Sequence, residues 1–182
     1  MKRIYIEGKS NPGLRASFVA LLQKELAGAM PRVVMGDGIS QTVSKFRTAP
    51  LEEGEERYLV VDSDEEIVDR TDLVERVNNK CSQKNCKVNA TNDNTFFMEQ
   101  EVEAWILSQP EALKKRGISK GLPVSNITSI SKPSEKLSQI YLLNQKSYHK
   151  TKEFPIVFKL LESDKLKAFS SEYKSLIEKL RC

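Results

Sequence analysis

The sequence predicts an α/β fold in which a mostly parallel central sheet lies between two layers of helices, a three-layer sandwich, followed by a helical C-terminal extension. Short β-rich apolar runs alternate with helical patterns along the first half of the chain, an order typical of βαβ units with right-handed crossovers. The run Arg57–Asp62 is apolar without polar alternation, so we expect a central strand covered on both faces. Acidic residues follow this run and the first one, at Glu7, Asp62 and Asp64.

Length and composition indicate one globular domain with an extension. The 182 residues are 39% hydrophobic and 30% charged, which is ordinary for a soluble protein. We assign residues 1–109 to the α/β core and residues 110–182 to a basic helical extension packed on it. No apolar run is long enough to span a membrane, and Met1–Arg3 leads into a strand and not into the apolar core of a signal peptide. We therefore expect a cytoplasmic protein without a membrane partner.

Charge is distributed unevenly along the chain. The net charge is +4, but from Pro110 onward there are 15 Lys/Arg against 7 Asp/Glu, so the preceding part is acidic. An acidic site followed by a basic extension suits a metal centre beside a surface that binds a polyanion. The alternative is that the lysines only solvate helix faces.

The cysteines and the single histidine do not predict a zinc site. Cys81 and Cys86 are farther apart than the Cys-x-x-Cys spacing of metal and redox motifs, and His149 is the only histidine. An odd number of cysteines without such a motif favours a reducing compartment.

The first predicted element is a strand, Arg3–Ile6, which ends at Glu7 and Gly8. A turn over Lys9–Gly13 leads to a helix predicted over Leu14–Leu26. Gly8 allows a ligand to approach the backbone, and the loop could present N–H groups to a phosphate. The Gly-Lys-Ser triplet lacks the upstream glycine of a P-loop, so nucleotide binding is not predicted. Glu7 is either part of a ligand site or an exposed acid in a loop.

A second strand, Arg32–Met35, precedes a short helix over Gln41–Arg47, and the third strand delivers Asp62 and Asp64 at its carboxyl end, where open parallel sheets bind ligands. The two aspartates are two positions apart, so in an extended chain they leave on one side and can share a cation. Mg²⁺ takes one or two carboxylates and adds water and phosphate oxygens. The alternative is that this acidic stretch caps the following helix.

The next helix is predicted over Ile67–Val77, and the polar stretch after it contains one predicted strand at Lys87–Ala90. An apolar run then leads into a helix predicted over Glu99–Ser108. Within this helix Glu99 and Glu103 are four apart and share one face. Glu103 is therefore either an additional metal-binding acid or a solvated helix residue.

The C-terminal part is predicted to be helical, with one basic turn. The turn Lys146–Lys152 contains the histidine, and its cations and hydroxyl groups suit phosphate contacts. A solvated loop between helices explains this composition equally well. The predicted helices are Pro110–Arg116, Ser134–Asn144, Phe154–Leu161 and Ser170–Leu180.

Glu7-Gly8 after the first strand, together with Asp62-x-Asp64 after a later strand, resembles the Toprim domain of topoisomerases, primases and overcoming-lysogenization-defect nucleases. Nearly the whole chain is also similar to a bacterial family known as domain of unknown function 4276. Relatives tend to have another glycine and an acid where this chain has Lys9-Ser10-Asn11, so we assign no metal ligand there. The segments that carry the second resemblance are Ile4–Gly8 with Leu14-Arg15, Leu59–Asp64, Met98–Leu107 and Ser147–Thr151.

The resemblance implies metal-assisted cleavage of phosphodiester bonds in DNA or RNA. Asp62 and Asp64 would hold Mg²⁺ or Mn²⁺, and Glu7 would act as general acid/base or metal ligand, because clustered acids repel one another until a cation neutralises them. Glu103 is the candidate for a second metal or an orienting role. The candidate contacts to nucleic acid are Lys9, Arg15, His149, Lys150 and Lys152.

Related Toprim nucleases commonly work beside an ATPase in bacterial and phage conflict. This sequence has no Walker motif, so any ATPase would be a separate subunit. Two other functions fit the same residues: a non-enzymatic interaction subunit that keeps the Toprim shape, and a phosphatase or nucleotidyl-transferring enzyme. The sequence leaves open DNA or RNA, the number of metal ions and the oligomeric state.

Overall fold

The structure, a computed structural model, describes residues 1–8, 12–26, 28, 30–81, 86–123 and 126–182. The strands are β1 (Lys2–Glu7), β2 (Arg32–Gly36), β3 (Glu56–Asp62) and β4 (Thr95–Met98). All of them are parallel and form one sheet in the order β2-β1-β3-β4. The predicted parallel sheet is therefore confirmed, and the most apolar run forms an inner strand.

Helices cover the sheet and make up the C-terminal part. None of the helices in the described ranges combines the length and the apolar character needed to cross a lipid bilayer. A 3₁₀ turn, Ile127–Ser129, precedes the sixth helix. The helices are α1 (Pro12–Gln23), α2 (Ile39–Thr48), α3 (Arg70–Asn79), α4 (Glu103–Leu107), α5 (Pro110–Lys114), α6 (Pro133–Leu143), α7 (Glu153–Phe158), α8 (Ser163–Phe169) and α9 (Ser171–Arg181).

The inner strands are buried on both faces. In β1, Ile4 and Ile6 belong to one apolar core, and Tyr5 between them belongs to the other. Neighbouring side chains of a strand point to opposite faces, so this alternation separates two cores. The first core contains α1, α4 and the C-terminal helices, and the second contains α2 and α3. The result is the three-layer arrangement that the sequence predicts.

The C-terminal helices complete the first core. Trp105 of α4 is 1% exposed, and its ring centroid lies 6.4 Å from Phe18 of α1, 6.1 Å from Phe158 of α7 and 5.3 Å from Tyr173 of α9. Aromatic pairs at these distances contribute stability beyond the apolar area that they bury. Residues on both sides of position 109 therefore share one core.

The helix predicted over Glu99–Ser108 is shorter than expected. It begins only at Glu103, because Gln100 has a left-handed backbone with φ 59° and lies in a turn after β4. A helix cannot run through such a residue. Helix α8 was not predicted at all, since its seven residues carry no long apolar period.

The strand predicted at Lys87–Ala90 is wrong: residues 86–90, all described, contain no strand. Hydrogen bonds to the Asn78 side chain and to the end of α2 hold this segment, and not the hydrogen bonds of a sheet. The Asn78 side chain donates to the Ala90 carbonyl at 2.9 Å and accepts from its N–H at 3.0 Å. The Lys87 N–H donates to the Arg47 carbonyl at the end of α2.

Two charged side chains cover the outer edge of β4. The Phe97 N–H donates to Glu172 Oε2 of α9 at 3.0 Å, and the Arg70 guanidinium donates to the Thr95 carbonyl. Arg70 and Glu172 lie 3.4 Å apart as an ion pair. Together they satisfy a donor and an acceptor of the edge strand as a neighbouring strand would.

The opposite edge, formed by β2, is covered by two cations. Arg15 Nε donates to the Val33 carbonyl at 3.1 Å, and Lys45 Nζ donates to the Met35 carbonyl at 3.0 Å. These helix side chains satisfy outward-facing carbonyls of the edge strand. Arg15 therefore has a structural contact in addition to its predicted role with nucleic acid.

Candidate active site

The carboxyl ends of β1 and β3 form a topological switch point. The chain leaves β1 for α1, which packs in the first core, and leaves β3 for α3, which packs in the second core. Because these connections go to opposite faces, a crevice opens between the two strand ends, where open α/β sheets bind ligands. Glu7 is the last residue of β1, and Asp62 is the last residue of β3. The fold therefore brings together two of the acids that the sequence singles out.

Backbone N–H groups hold both of these side chains. The Asp62 N–H donates to Glu7 Oε2 at 3.1 Å, and the backbone of Ile39 at the start of α2 lowers the pKa of Glu7. Asp62 Oδ1 accepts from the Val102 N–H, directly before α4, at 3.0 Å. A carboxylate has about four lone-pair sites. Each side chain is thus fixed in place while lone pairs remain for a ligand.

Asp64 lies beyond the end of β3 in a left-handed turn with φ 59°. Its N–H donates to the Gln100 carbonyl at 2.9 Å, and the Gln100 N–H donates to Ser63 Oγ at 2.7 Å. The backbone is therefore not extended at Asp64, and the expectation of an extended strand through both aspartates is wrong. Both aspartates nevertheless line the same cavity.

A different aspartate caps α3. Asp69 Oδ1 accepts from the Thr71 N–H at 2.8 Å and from the Asp72 N–H at 3.4 Å, which is the usual geometry of an N-cap. The alternative that Asp62 and Asp64 cap the next helix is therefore wrong. These two acids have no part in the helix start.

The three candidate acids have raised pKa values. Burial raises the pKa of Asp62 well above its usual range, and the neighbouring Glu7 adds to the effect. Burial also raises the pKa of Glu7, although the hydrogen bond from the Asp62 N–H opposes it. For Asp64, burial and then Glu101 raise the pKa, while Lys80 lowers it. Carboxylates in this situation gain from a bound cation.

Glu103 is fully buried, so the alternative of a solvated helix residue is wrong for it. Lys150 Nζ lies 2.9 Å from Glu103 Oε1, and Tyr148 Oη donates to the same oxygen at 3.1 Å. Burial opposes the charge of Lys150, but Glu103 raises the pKa of this ammonium overall. The Lys150 charge in turn lowers the pKa values of Glu7 and Asp62. Glu103 thus orients a cation toward the acid pair.

Gly8 is favoured by its backbone conformation, whatever binds beyond it. Its φ is +152°, and a Cβ atom here would lie 2.8 Å from Leu14 Cδ2 and 3.1 Å from Met35 Cε. Its N–H donates to the Gly36 carbonyl at 3.1 Å. A side chain at this position would therefore strain the backbone, and the ends of the Leu14 and Met35 side chains would have to shift.

A cavity of about 180 Å³ lies beside Asp62 and Asp64. Two cations of α3 and its end, Arg76 and Lys80, also line it, and Arg76 pairs with Glu65. Sequence reasoning missed both cations, because lysines and arginines on a helix are typical of a solvated face. Their spacing of four on the helix after the acidic strand is the signal that could have found them. The apolar wall consists of Ile39, Leu73, Val77 and Phe97.

The other predicted contacts to nucleic acid are more distributed. Arg15 covers the edge of β2, and His149 and Lys152 are exposed in the turn before α7. Lys150 is the predicted contact whose charge acts on the acid pair. Lys9 and the next two positions of the predicted loop Lys9–Gly13 lie outside the described residues, and α1 begins within that loop, at Pro12.

Comparisons with known proteins were made for the whole chain. It matches no protein-family model, no curated protein and no solved structure. The resemblance to the Toprim domain therefore depends on the residues of the sequence themselves. The parallel sheet and the positions of Glu7 and Asp62 at adjacent strand ends are independent observations of the structure.

The acid pair fits a small, hard cation. Within the described ranges no group of three or more His, Cys, Asp or Glu side chains is arranged to hold a metal ion. Glu7 and Asp62 are a pair of oxygen donors, which is the number that Mg²⁺ commonly takes from a protein before it adds water and phosphate oxygens. A weakly held Mg²⁺ or Mn²⁺ that gains affinity from a phosphate ligand therefore fits these residues.

Proposed function

We propose that this chain is a metal-dependent nuclease that cleaves phosphodiester bonds in DNA or RNA. The observation that supports this best is the meeting of Glu7 and Asp62 at the switch point, where both have raised pKa values. Partly buried acids that repel one another are unfavourable for the fold, and such groups are concentrated at functional sites. The Toprim resemblance, with its acid after the first strand and its Asp-x-Asp after a later one, points to the same chemistry.

Glu7 and Asp62 would hold Mg²⁺ or Mn²⁺, with Asp64 facing the cavity beside them. A bound divalent cation stabilises the negative charge that develops on a phosphate during cleavage. Burial raises the pKa of Glu7, so this carboxylate takes up and releases a proton closer to neutral pH than an ordinary glutamate does.

Cations around the acids would bind the substrate. Lys150, held by Glu103, places its ammonium where it can contact a phosphate oxygen. Arg76 and Lys80 supply two further positive charges at the cavity, which suits phosphates that flank the cleaved bond. The apolar wall of the cavity leaves room for a sugar or a base.

Calorimetric titration of Mn²⁺ and a cleavage assay on single- and double-stranded DNA and RNA test this proposal. Asp62→Asn keeps an oxygen that accepts from the Val102 N–H but removes the charge. We expect it to lose Mn²⁺ binding and to reduce cleavage by about 100-fold or more. Analysis of the products separates a nuclease from a phosphatase or a nucleotidyl-transferring enzyme.

Asp69→Asn is the matched control for this experiment. It removes the same charge from the connection that follows Asp62, between β3 and α3, and asparagine caps a helix as well as aspartate does. We expect Mn²⁺ binding and cleavage to survive in this variant. Cleavage that persists unchanged in Asp62→Asn would contradict the proposed function.

The resemblance also supports a setting in which the chain is the effector of a bacterial or phage defence system beside a separate ATPase. A native pull-down analysed by mass spectrometry tests this point, and recovery of no ATPase would count against it. A chain that neither binds Mn²⁺ nor cleaves, yet retains a partner, would instead be the interaction subunit.

A further inference from the structure

A second cavity, of about 320 Å³, lies among the C-terminal helices and shares no lining residue with the cavity beside Asp62. Its walls come from the end of α5, from α6, from the turn after α6 and from the start of α7. We refer to it as the Tyr141 cavity. It is lined by Arg116, Ile118, Tyr141, Lys146, Ser147 and Glu153.

Tyr141 contributes a buried hydroxyl without a hydrogen bond. The residue is 1% exposed, and among the described residues Tyr141 Oη has no hydrogen-bond partner. The charges of Glu153 and Arg116 act on this phenol, so its hydroxyl lies near these two residues of the cavity wall. Burial, followed by Glu153, raises the pKa of Tyr141 to about 12. The hydroxyl therefore keeps its proton at neutral pH and is a donor that lacks an acceptor, which is unfavourable unless a ligand supplies one.

The charged groups of the cavity are two cations and one acid. Arg116 Nη2 and Glu153 Oε2 are 3.7 Å apart, a distance that fits an ion pair but exceeds that of a hydrogen bond. Lys146 Nζ donates to the Arg116 carbonyl, and both residues line the cavity. Arginine and lysine together are the usual side chains around a phosphate. Ser147 adds a hydroxyl group of its own.

We infer that the Tyr141 cavity binds a small phosphate monoester that carries hydroxyl groups, such as a sugar phosphate or a mononucleotide. Arg116 and Lys146 bind the phosphate, Tyr141 donates its hydroxyl proton to a ligand oxygen, and Glu153 accepts from a ligand hydroxyl. The volume is at the lower end of the range for small-molecule sites, and walls from several helices favour a compact ligand over a polymer. This binding does not depend on the proposed nuclease activity.

Calorimetric titration of ribose 5-phosphate into the full chain tests the inference, with EDTA present so that the strand-end acids cannot bind the ligand through a metal ion. Tyr141→Phe removes only the hydroxyl oxygen and leaves the packing intact, so the variant is expected to fold. We expect it to weaken binding about 5-fold, and Arg116→Gln to weaken binding about 10-fold or more, because a hydrogen bond to a charged group contributes more than a neutral one. Lys174→Gln, which removes an exposed cation from α9, should bind like the wild type.

Three results would overturn the inference. One is the absence of binding at about 10 mM ribose 5-phosphate, far above the range of a specific small-molecule site. Another is equal affinity of the wild type, Tyr141→Phe and Arg116→Gln, since the cavity would then hold only water. The third is tighter binding of an oligonucleotide without terminal phosphates, if this oligonucleotide displaces ribose 5-phosphate and its affinity falls in Arg116→Gln. The site would then serve a nucleic-acid backbone and not a small ligand.

Discussion

Among single residues, Lys150 is important for stability, because it compensates the charge of the fully buried Glu103. The Lys150 side chain is 43% exposed and that of Glu103 is fully buried, so removing the ammonium leaves a buried charge without its cation, although water screens part of the loss. We expect Lys150→Met to lower the free energy of unfolding by about 1 to 2 kcal/mol, less than for a pair buried on both sides, measured by urea denaturation. Lys152→Met, at an exposed position in the same turn, should change it by less than about 0.5 kcal/mol.

A double variant, Glu103→Gln with Lys150→Met, provides the control for this prediction. Glutamine can still accept from Tyr148 Oη but carries no charge that needs compensation. We expect the double variant to recover most of the stability lost in Lys150→Met. Equal losses in the single and double variants would show that the charge of Glu103 is not the cause.

The charge of Asp62 lowers the free energy of unfolding, whereas that of Lys150 raises it, because folding raises the pKa of Asp62. The folded protein then binds this proton more tightly than the unfolded chain, so the stabilisation is complete below the unfolded pKa, about 3.9, and is lost as the pH rises through the folded pKa. We expect Asp62→Asn, in EDTA, to raise the free energy of unfolding at about pH 8, by ~1.4 kcal/mol for each pKa unit of the shift.

The gain from Asp62→Asn should disappear when the pH falls to about 3, where the wild-type carboxyl is protonated in both states. Urea denaturation at a series of pH values measures this dependence. A gain of the same size at every pH would mean that asparagine acts through packing and not through the lost charge. Asp69→Asn again serves as the comparison, since Asp69 is exposed.

For the secondary-structure elements, sequence reasoning was sufficient where structure depends on local pattern. The strands β1, β2 and β3 were predictable, because a strand buried on both faces needs an apolar residue at nearly every position. The start of α4 was not predictable. The turn before this helix depends on a hydrogen bond from the Gln100 N–H to Ser63 Oγ, and Ser63 follows β3. A contact between residues that are distant in the sequence produces no local hydrophobic pattern from which it could be predicted.

The same distinction applies to the candidate site. Glu7 and Asp62 were predictable, because the carboxyl ends of parallel strands meet at one edge of the sheet. The burial of Glu103 was not predictable from the sequence, since its partner Lys150 lies in a turn far along the chain. Arg76 and Lys80 were missed because only the packing of α3 shows that these exposed cations also border the cavity.

The start of α3 depends on a single side chain, Asp69, which accepts from two backbone N–H groups. We expect Asp69→Ala to lower the free energy of unfolding by about 1 kcal/mol, because an N–H group at the helix start loses its acceptor, and Asp69→Asn to be nearly neutral. Thermal denaturation followed by circular dichroism measures both. A loss of equal size in the two variants would assign the effect to charge and not to capping.

In the molecule as a whole, the first core joins the two segments that the sequence separates at residue 109. Without residues 110–182, Trp105 would lose the rings of Phe158 and Tyr173. We expect a chain of residues 1–109 to show no cooperative unfolding transition, because a large apolar surface of the sheet would face water. Near-ultraviolet circular dichroism and urea denaturation measure this, with a chain that lacks only the exposed Cys182 as the control.

A cooperative transition in the chain of residues 1–109 would show that the α/β part folds by itself, contrary to this prediction. If the transition is absent, deletion of residues 110–182 cannot be used to locate a partner-binding surface. Point substitutions on exposed faces of the C-terminal helices are then the appropriate way to map such a surface.

The ion pair of Arg70 and Glu172 on β4 has a consequence for how copies of this protein behave toward one another. Both side chains bind the outer edge of the strand, and an edge strand without such a cover is a template for pairing with a strand of another molecule. β4 consists of Thr95 and three apolar residues, all of them buried, which makes such pairing favourable. Helix α9 therefore protects against aggregation, and its detachment, by heat or by proteolysis, would expose the segment from which intermolecular sheets grow.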